Sequence, residues 1–209
     1  CRRSSGSRTA PTARGRSPVR PAPPSRRWRQ LLIAAYFCAG IGFVVSATFI
    51  VAILEQTPAF RGHGSAVWIL VGLAAVPSTF AWDRVASAMG LIRALMLAFA
   101  LQAASFVLPL LDDRLWAGLG SALLFGLTFA GIVSLTLTVI GRHYPQNPAK
   151  AMATLTLSYG VAQILAPAFA GTLARSSGSY EASLLLAAIA MTVGVFLLGA
   201  MPDDANDAA

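Results

Sequence analysis

The sequence predicts an all-α membrane protein built as a six-transmembrane-helix bundle, and three observations predict it. Of the 209 residues, 56% are hydrophobic and only 11% are charged, whereas charged residues make up about a quarter of a soluble domain. The mean hydropathy is +0.66. After residue 30 the chain also divides into six continuously apolar runs, each close to the length of about 20 residues that crosses a bilayer as a helix.

The six predicted spans follow one another with short connections. They cover residues 31–54, 66–82, 94–111, 115–140, 151–174 and 182–201. Transmembrane β-strands are excluded because they alternate apolar and polar residues over about ten positions. Four tryptophans fall near span ends, where an indole ring usually anchors a helix at the membrane interface; they are Trp28, Trp68, Trp82 and Trp116.

Residues 1–30 differ from the rest of the chain, since they combine nine arginines with Ser, Pro, Ala and Gly and hold few large apolar side chains. Such a composition predicts a disordered cytoplasmic tail or interdomain loop. Its charge fits a topology signal or anionic lipid better than nucleic acid, so no nucleic-acid partner is expected. Residues 202–209 form a short acidic tail. The chain starts at Cys1 rather than Met, which predicts that it is either processed or a piece of a longer protein, and we expect the second.

The Lys and Arg residues are distributed unequally between the two sides of the predicted bundle. Thirteen of the 16 lie in the tail and in the connections after the second and fourth spans. The excess of positive charge in cytoplasmic loops therefore predicts that both termini are cytoplasmic. The bilayer is a bacterial inner membrane in this interpretation.

Small residues recur every four positions in three spans, which places them on one helix face and lets a neighbouring helix approach closely. We expect these seams to pack helix against helix. They are Ala34, Cys38, Gly42 and Ser46 in the first span, Ala122, Gly126, Ala130 and Ser134 in the fourth, and Ala162, Ala166, Ala170 and Ala174 in the fifth.

Catalysis is not expected, because no Asp, Glu, His or Lys occurs inside any predicted span. A membrane-embedded hydrolase would need a base near its nucleophile. The two histidines, His63 and His143, lie in separate connections without partners at ligand spacing, so no metal and no cofactor is predicted. The protein is therefore interpreted as a non-enzyme.

Neutral polar side chains inside the spans are the candidate solute contacts. Tyr159 and Gln163 are one turn apart on the fifth span, and Tyr36 and Gln102 lie within the first and third. An amide left unpaired in hydrocarbon is costly, so each glutamine faces protein or a water-filled cavity. Hydrogen bonding between helices is the alternative role of these groups.

The segment WDRVASAMGLIRAL after the second span resembles the cytoplasmic signature loop of major facilitator superfamily (MFS) transporters, through Asp83, Arg84, Gly90 and Arg93. The fifth span, YGVAQILAPAFAG, is similar to the antiporter-type motif of that family. Together with YFCAGIGFVVSATF and SALLFGLTFAGIV these segments resemble the YbfB/YjiJ-like branch over residues 31–201.

The resemblance implies the C-terminal half of a twelve-helix MFS fold, with the solute between two six-helix halves. It implies a cytoplasmic charge latch formed by Asp83, Arg84 and Arg93. We also expect Arg142 to act as a cytoplasmic gate, with less support than for these three residues. Helix flexing is expected at a second set of positions on the fifth span, namely Gly160, Pro167 and Gly171.

We therefore expect a secondary active transporter half that moves a small organic solute by alternating access. The expected solute-facing residues are Tyr36, Gln102, Tyr159 and Gln163. The partners are the lipid bilayer, the solute, and either a missing N-terminal six-helix half or a second copy of the chain. Two alternatives remain open: a truncated membrane scaffold that transports nothing, and a six-helix permease that works as a homodimer.

Overall fold

The computed structural model describes residues 24–55, 61–62, 64–112, 114–178 and 180–202. Within them the chain forms helices without strands. The six helices are α1 (Arg26–Leu54), α2 (Gly64–Met89), α3 (Leu91–Leu111), α4 (Leu115–His143), α5 (Pro148–Ser177) and α6 (Glu181–Gly199). All six are long and apolar enough to cross a membrane, which confirms the predicted fold class of a six-helix membrane bundle.

Most helices extend past the predicted apolar runs, because charged residues can continue a helix beyond the hydrocarbon region. The clearest difference is at α1, which begins at Arg26, inside the segment 1–30 that was predicted to be disordered. Ser25 explains this start, since its hydroxyl accepts a hydrogen bond from the Trp28 backbone N–H at 3.1 Å, the arrangement of an N-cap. The prediction of disorder is therefore wrong for residues 26–30. Residues 1–23 and 203–209 of the two predicted tails lie outside the described residues.

The predicted signature loop after the second span is also mostly helical. Helix α2 continues through Asp83 and Arg84 to Met89, and α3 begins at Leu91, so Gly90 alone connects them. Gly90 has a φ of 91°, a backbone conformation that glycine adopts readily and that side chains disfavour. The reversal between α2 and α3 therefore requires one residue rather than a loop.

The helices pack in two equivalent sets of three. Helix α1 packs mainly against α5 and α6, α4 packs mainly against α2 and α3, and α3 packs against α6. This pattern is unchanged when α1 is exchanged with α4, α2 with α5, and α3 with α6. Because each set has an odd number of helices, the second set runs through the bilayer in the opposite sense. Such packing is typical of inverted three-helix repeats.

Two close helix contacts show the same register in both sets. A Cβ at Gly40 of α1 would lie 2.7 Å from the Tyr159 carbonyl oxygen and 2.8 Å from the Ala162 Cβ. A Cβ at Gly126 of α4 would likewise meet the Val71 carbonyl oxygen and the Cβ of Ala74, three residues further along α2. Gly40 and Gly126 therefore hold equivalent positions in the two repeats.

The predicted small-residue seams are packing surfaces in the structure. Ala162 and Ala170 of α5 have no exposed surface and Ala166 is 4% exposed. A Cβ at Gly42 would lie 2.7 Å from the sulfur of Met191 on α6. In lipid, close backbone approach of this kind supplies the dispersion contacts that hydrophobicity cannot.

The interface-anchor interpretation is wrong for two of the four tryptophans. Trp68 and Trp116 are 42% and 54% exposed, as anchors should be, but Trp28 is 0% and Trp82 is 6% exposed. The Trp82 indole N–H donates a hydrogen bond to the Leu127 carbonyl oxygen at 2.7 Å. Its ring lies directly against Gly131. A protein partner for its N–H allows burial of the Trp82 indole, which would otherwise seek the interface. The buried Trp28 indole N–H has no hydrogen-bond partner among the described residues.

Candidate solute-binding site

Two of the predicted solute-facing residues are in direct contact. The rings of Tyr36 on α1 and Tyr159 on α5 are stacked, with centroids 4.7 Å apart and an interplanar angle of 30°. Gly40 lies one turn after Tyr36 and brings the α5 backbone close at Tyr159. Tyr36 is 3% exposed, whereas Tyr159 is partly exposed. The pair therefore has a buried side and an open side.

Gln163 follows Tyr159 by one turn of α5, so the two side chains share a helix face. Gln163 is partly exposed. Within the described parts of the chain, no hydrogen bond is formed by its amide, which offers two donors and an acceptor. This amide is available to a ligand that approaches the open side of the tyrosine pair.

Gln102 occupies a different place from the other three predicted residues. It is on α3, which packs against α4 and α6 and has no contact with α5 among the described residues. Its side chain is 1% exposed, and its amide oxygen has no hydrogen-bond partner in the described part of the chain. The structure therefore does not join Gln102 to the tyrosine pair.

Two of the predicted flexing positions, Gly160 and Gly171, are not explained by close packing. A Cβ at either glycine would meet nothing within 4 Å among the described residues. Pro167 lies inside α5 between them, where proline removes one backbone hydrogen bond of the helix. Helix α5 thus combines three residues that weaken a helix with a surface that the described part of the chain leaves open.

The sequence analysis missed a set of phenylalanines beside the tyrosine pair. Phe43 of α1 contacts Tyr159 with ring centroids 6.1 Å apart, and it contacts Phe129 of α4 at 5.6 Å. Each phenylalanine stands three residues after one of the equivalent glycines, in GIGF at 40–43 and GLTF at 126–129. This short internal repeat was the signal that could have identified them.

The predicted charge latch lies at one end of the bundle, which we call the basic end; it holds the start of α1, Gly90, and the end of α4. Asp83, Arg84 and Arg93 are all exposed there. Across the described residues, none of the three forms an ion pair within 4.0 Å. Arg142 is exposed in the last turn of α4. The structure thus places the four predicted gating residues at one end without joining Asp83 to an arginine.

A ring contact closes the bundle at the basic end. The Trp28 ring on α1 lies against the His143 ring on α4, with centroids 4.2 Å apart. Nδ1 of His143 lies 2.8 Å from the Val139 carbonyl oxygen, within hydrogen-bond distance. The contact joins the first turn of α1 to the last turn of α4, the two central helices.

A groove of about 570 Å³ lies away from the tyrosine pair, between α1, α5 and α6. Its lining is mostly apolar, including Phe37, Ile41 and Phe169, and it also holds the hydroxyl side chains of Thr172 and Ser176. None of the four predicted solute-facing residues lines it. The groove lacks a cluster of polar groups that would orient a polar solute, so it is a weaker candidate site than the tyrosine pair. Among the described residues, no three His, Cys, Asp or Glu side chains cluster as metal ligands would.

Comparison with protein families places these features in context. The chain matches the family model described as an uncharacterised MFS-type transporter YbfB, over residues 6–198. The match covers all six helices, from the start of α1 nearly to the end of α6, and it also includes most of the predicted tail. A search of curated proteins found no match.

Proposed function

Because the chain belongs to the family of YbfB-type MFS transporters, we propose that it is one six-helix unit of a secondary active transporter. In this proposal it moves a small organic solute by alternating access against a second six-helix unit. The second unit is an N-terminal half or another copy of this chain. The solute passes between the two units, along the side of α1 and α4 that faces away from α3 and α6.

One observation carries the proposal: the two least buried helices are also the two least hydrophobic. Helices α2 and α5 bury the smallest shares of their spans, and their mean hydropathy values are also the two lowest of the six helices. A helix surface in contact with lipid should instead be the most apolar. The low mean hydropathy of these two little-buried helices therefore supports a boundary with protein or water along part of their surface.

The packing leaves that boundary beside the two central helices. Helices α2 and α5 flank the contact between α1 and α4, and they have no contact with each other within the described chain. The side of α1 and α4 between them is thus not covered by any of the described helices. A second unit that contacts α2 and α5 would enclose a space lined by α1 and α4.

The residues on this side can bind a neutral solute. The Tyr159 hydroxyl and the Gln163 amide can donate and accept hydrogen bonds. Rocking of one unit against the other would expose them to each side of the membrane in turn. Gly160, Pro167 and Gly171 would let α5 bend during that motion, since each lowers helix stability.

The basic end would be the cytoplasmic end, as the distribution of Lys and Arg predicts, and a bacterial inner membrane would hold the protein. Asp83, Arg84 and Arg93 are exposed there. In the inward-closed state they would form charge-assisted hydrogen bonds with the second unit. Arg142 would contribute at the same level from α4.

Cysteine labelling tests alternating access directly. Gln163→Cys is introduced at the gene's own locus, with Cys1 and Cys38 replaced by alanine, so that any second unit is present. A charged, membrane-impermeant methanethiosulfonate is then applied to one side of the membrane at a time. We expect labelling from both sides, because the reactive thiolate requires a water-filled path.

The matched control is Phe196→Cys in the same background. Phe196 is 72% exposed on α6 and is not on the proposed solute path, so its cysteine should face lipid and remain unlabelled. Labelling of Gln163→Cys from neither side would remove the solute path. Labelling from one side alone would contradict alternating access and favour a non-transporting scaffold.

A further inference from the structure

Aromatic rings form a continuous series across the centre of the bundle. They come from four helices: Phe106 on α3, Phe125 and Phe129 on α4, Phe43 and Tyr36 on α1, and Tyr159 on α5. Successive centroid distances from Phe106 to Tyr36 are 6.5, 5.4, 5.6, 6.1 and 4.7 Å. These values fall in the range of about 4.5–7 Å at which aromatic rings attract one another.

The series is buried on one side and open on the other. Phe106 and Phe125 are 1% and 0% exposed, so they form its base in the core. Phe43, Phe129 and Tyr159 are only partly buried; we call these three rings the aromatic surface. It lies on α1, α4 and α5, where the described helices leave the space between α2 and α5 uncovered.

The repeat symmetry explains why two of these rings meet. Phe43 and Phe129 each follow the equivalent glycines Gly40 and Gly126 by three residues, so they occupy equivalent positions in the two repeats. Equivalent residues can touch only near the pseudo-two-fold axis that relates the repeats. The aromatic surface is therefore centred on that axis, between the two central helices.

No charged residue of the described helices lies near the aromatic surface along its own helix. Within its own helix the nearest to Phe43 is Arg29, and Glu55 lies just past the end of α1. The nearest to Phe129 is Arg142, and the nearest to Tyr159 is Lys150. With a rise of 1.5 Å per residue, each is at least about 13 Å away along the helix axis. The surface thus offers ring faces and edges and two neutral hydrogen-bonding groups, on Tyr159 and Gln163.

We propose that the aromatic surface binds the ring of an uncharged aromatic solute, while Tyr159 and Gln163 hydrogen-bond to a polar substituent on that ring. This rests on the proposed transport function and adds the chemical class of the solute. Offset or edge-to-face packing discriminates an aromatic ring from a saturated ring of the same size. A solute with a net charge would leave hydrated surroundings for a surface without a counter-charge, which is costly.

Binding measurements with two matched probes test the inference. The protein is purified with any second unit from its own membranes and placed in nanodiscs. Binding of 2-naphthol is compared with that of its saturated analogue decahydro-2-naphthol by equilibrium dialysis, with subtraction of protein-free nanodiscs. We expect saturable binding of 2-naphthol with an affinity about tenfold higher than that of the saturated probe.

Two variants identify the surface as the source of this preference. Phe43→Leu combined with Phe129→Leu keeps apolar volume and removes both rings, and it should lower the affinity for 2-naphthol about tenfold while leaving the saturated probe nearly unchanged. Phe196→Leu is the control, since that ring is 72% exposed on α6. If the double variant does not fold, Tyr159→Phe is used in its place. This variant keeps the stacked ring and removes the hydroxyl, so the affinity for 2-naphthol should still fall.

Several results would overturn the inference. Equal affinity for the two probes, or an unchanged affinity in the double variant, would mean that the rings serve only packing. Tighter binding of naphthyltrimethylammonium than of 2-naphthol would replace the uncharged class by a cationic one. The double variant could also lose its association with the second unit and still bind 2-naphthol. That result would identify the aromatic surface as a contact between units.

The proposed function fails on a different measurement. If 2-naphthol binds with the expected preference while Gln163→Cys is labelled from neither side of the membrane, the aromatic site stands and the transport function fails. If labelling alternates while the two probes bind equally, transport stands and the aromatic class fails. The two outcomes are therefore separable.

Discussion

The two equivalent helix contacts, α1 with α5 and α4 with α2, share a backbone register but differ in their side chains. In α4 with α2, Ser78 and Trp82 both donate hydrogen bonds to the Leu127 carbonyl oxygen, at 2.6 and 2.7 Å. In α1 with α5, the Ser158 hydroxyl donates to the Leu155 carbonyl oxygen of its own helix at 2.8 Å, and the Ile33 carbonyl oxygen of α1 lies farther from it, at 3.4 Å. That contact holds the tyrosine pair instead.

The difference teaches how one packing pattern can serve two purposes. Small residues at Gly40 and Gly126 set the distance between helices in both contacts. The remaining side chains then decide whether the contact is cross-linked by hydrogen bonds or carries polar groups toward an open side. Four predictions test this comparison.

The largest effect on stability is expected at Gly40 and Gly126, where both helix contacts are equally close. Gly126→Ala and Gly40→Ala should each lower the free energy of unfolding by roughly 1–3 kcal/mol, because backbone atoms and a Cβ must move to admit the new methyl group. The measurement is unfolding from mixed micelles by SDS titration.

The control for this pair is Gly72→Ala on α2, where a Cβ would meet nothing within 4 Å of the described chain. It should not destabilise the protein. A large cost at Gly126 with none at Gly40 would break the equivalence of the two contacts.

The next effect concerns chemistry that only the α1 with α5 contact carries. Gln163→Ala should reduce solute uptake about tenfold while leaving membrane insertion intact, since one hydrogen bond to the solute contributes about 1–1.5 kcal/mol. Uptake is measured in cells that carry the variant at the gene's own locus. Mass spectrometry would report which neutral solutes accumulate in wild-type cells and not in cells without the gene.

Gln146→Ala supplies the matched control, because this glutamine is exposed in the connection between α4 and α5. Its uptake should equal that of the wild type. Unchanged uptake in Gln163→Ala would remove Gln163 from the proposed site.

A smaller effect of opposite sign is expected within α5. Gly160→Ala and Gly171→Ala should each raise the free energy of unfolding by about 0.5–1 kcal/mol, since alanine favours a helix and finds open space at both positions. If α5 must bend during transport, the same variants should slow uptake. More stable variants with unchanged uptake rates would contradict the flexing role of these glycines.

The smallest effect should come from the hydrogen bonds of α4 with α2. Trp82→Phe keeps a buried ring but removes the donor to the Leu127 carbonyl oxygen, and it should cost about 0.6 kcal/mol, a typical value for such bonds in membrane proteins. Trp68→Phe, at a 42% exposed position, is the control and should change the SDS midpoint less. An equal shift in both would mean that the hydrogen bond adds nothing to this contact.

The sequence predicted the helical elements well and the polar contacts only in part. Spans were readable because hydrocarbon excludes charge over a fixed length, which marks each crossing in the sequence. Tyr36 and Tyr159 were correctly chosen as candidates, yet nothing in their separate spans showed that their rings stack. Gln102 had the same local pattern as Gln163, and only the packing of α3 separates it from the tyrosine pair.

The burial of Trp28 and Trp82 is a second example of the same limit. Near a span end, an indole is equally suited to the interface and to a buried site with a hydrogen-bond acceptor. The choice for Trp82 depends on the Leu127 carbonyl oxygen, which is 45 residues away in the chain. Local sequence cannot indicate a partner that distant.

The sequence by itself determined that this chain carries six runs long and apolar enough to cross a membrane and that these runs carry small-residue seams, because hydropathy and residue size are properties of each segment alone. Only the tertiary structure decided which helices pair, that α1 and α4 meet at the centre, and that Phe43, Phe129 and Tyr159 form one surface. Those relations depend on which seams approach each other, and in lipid that choice follows from shape-matched packing between segments rather than from the hydrophobicity of any one of them.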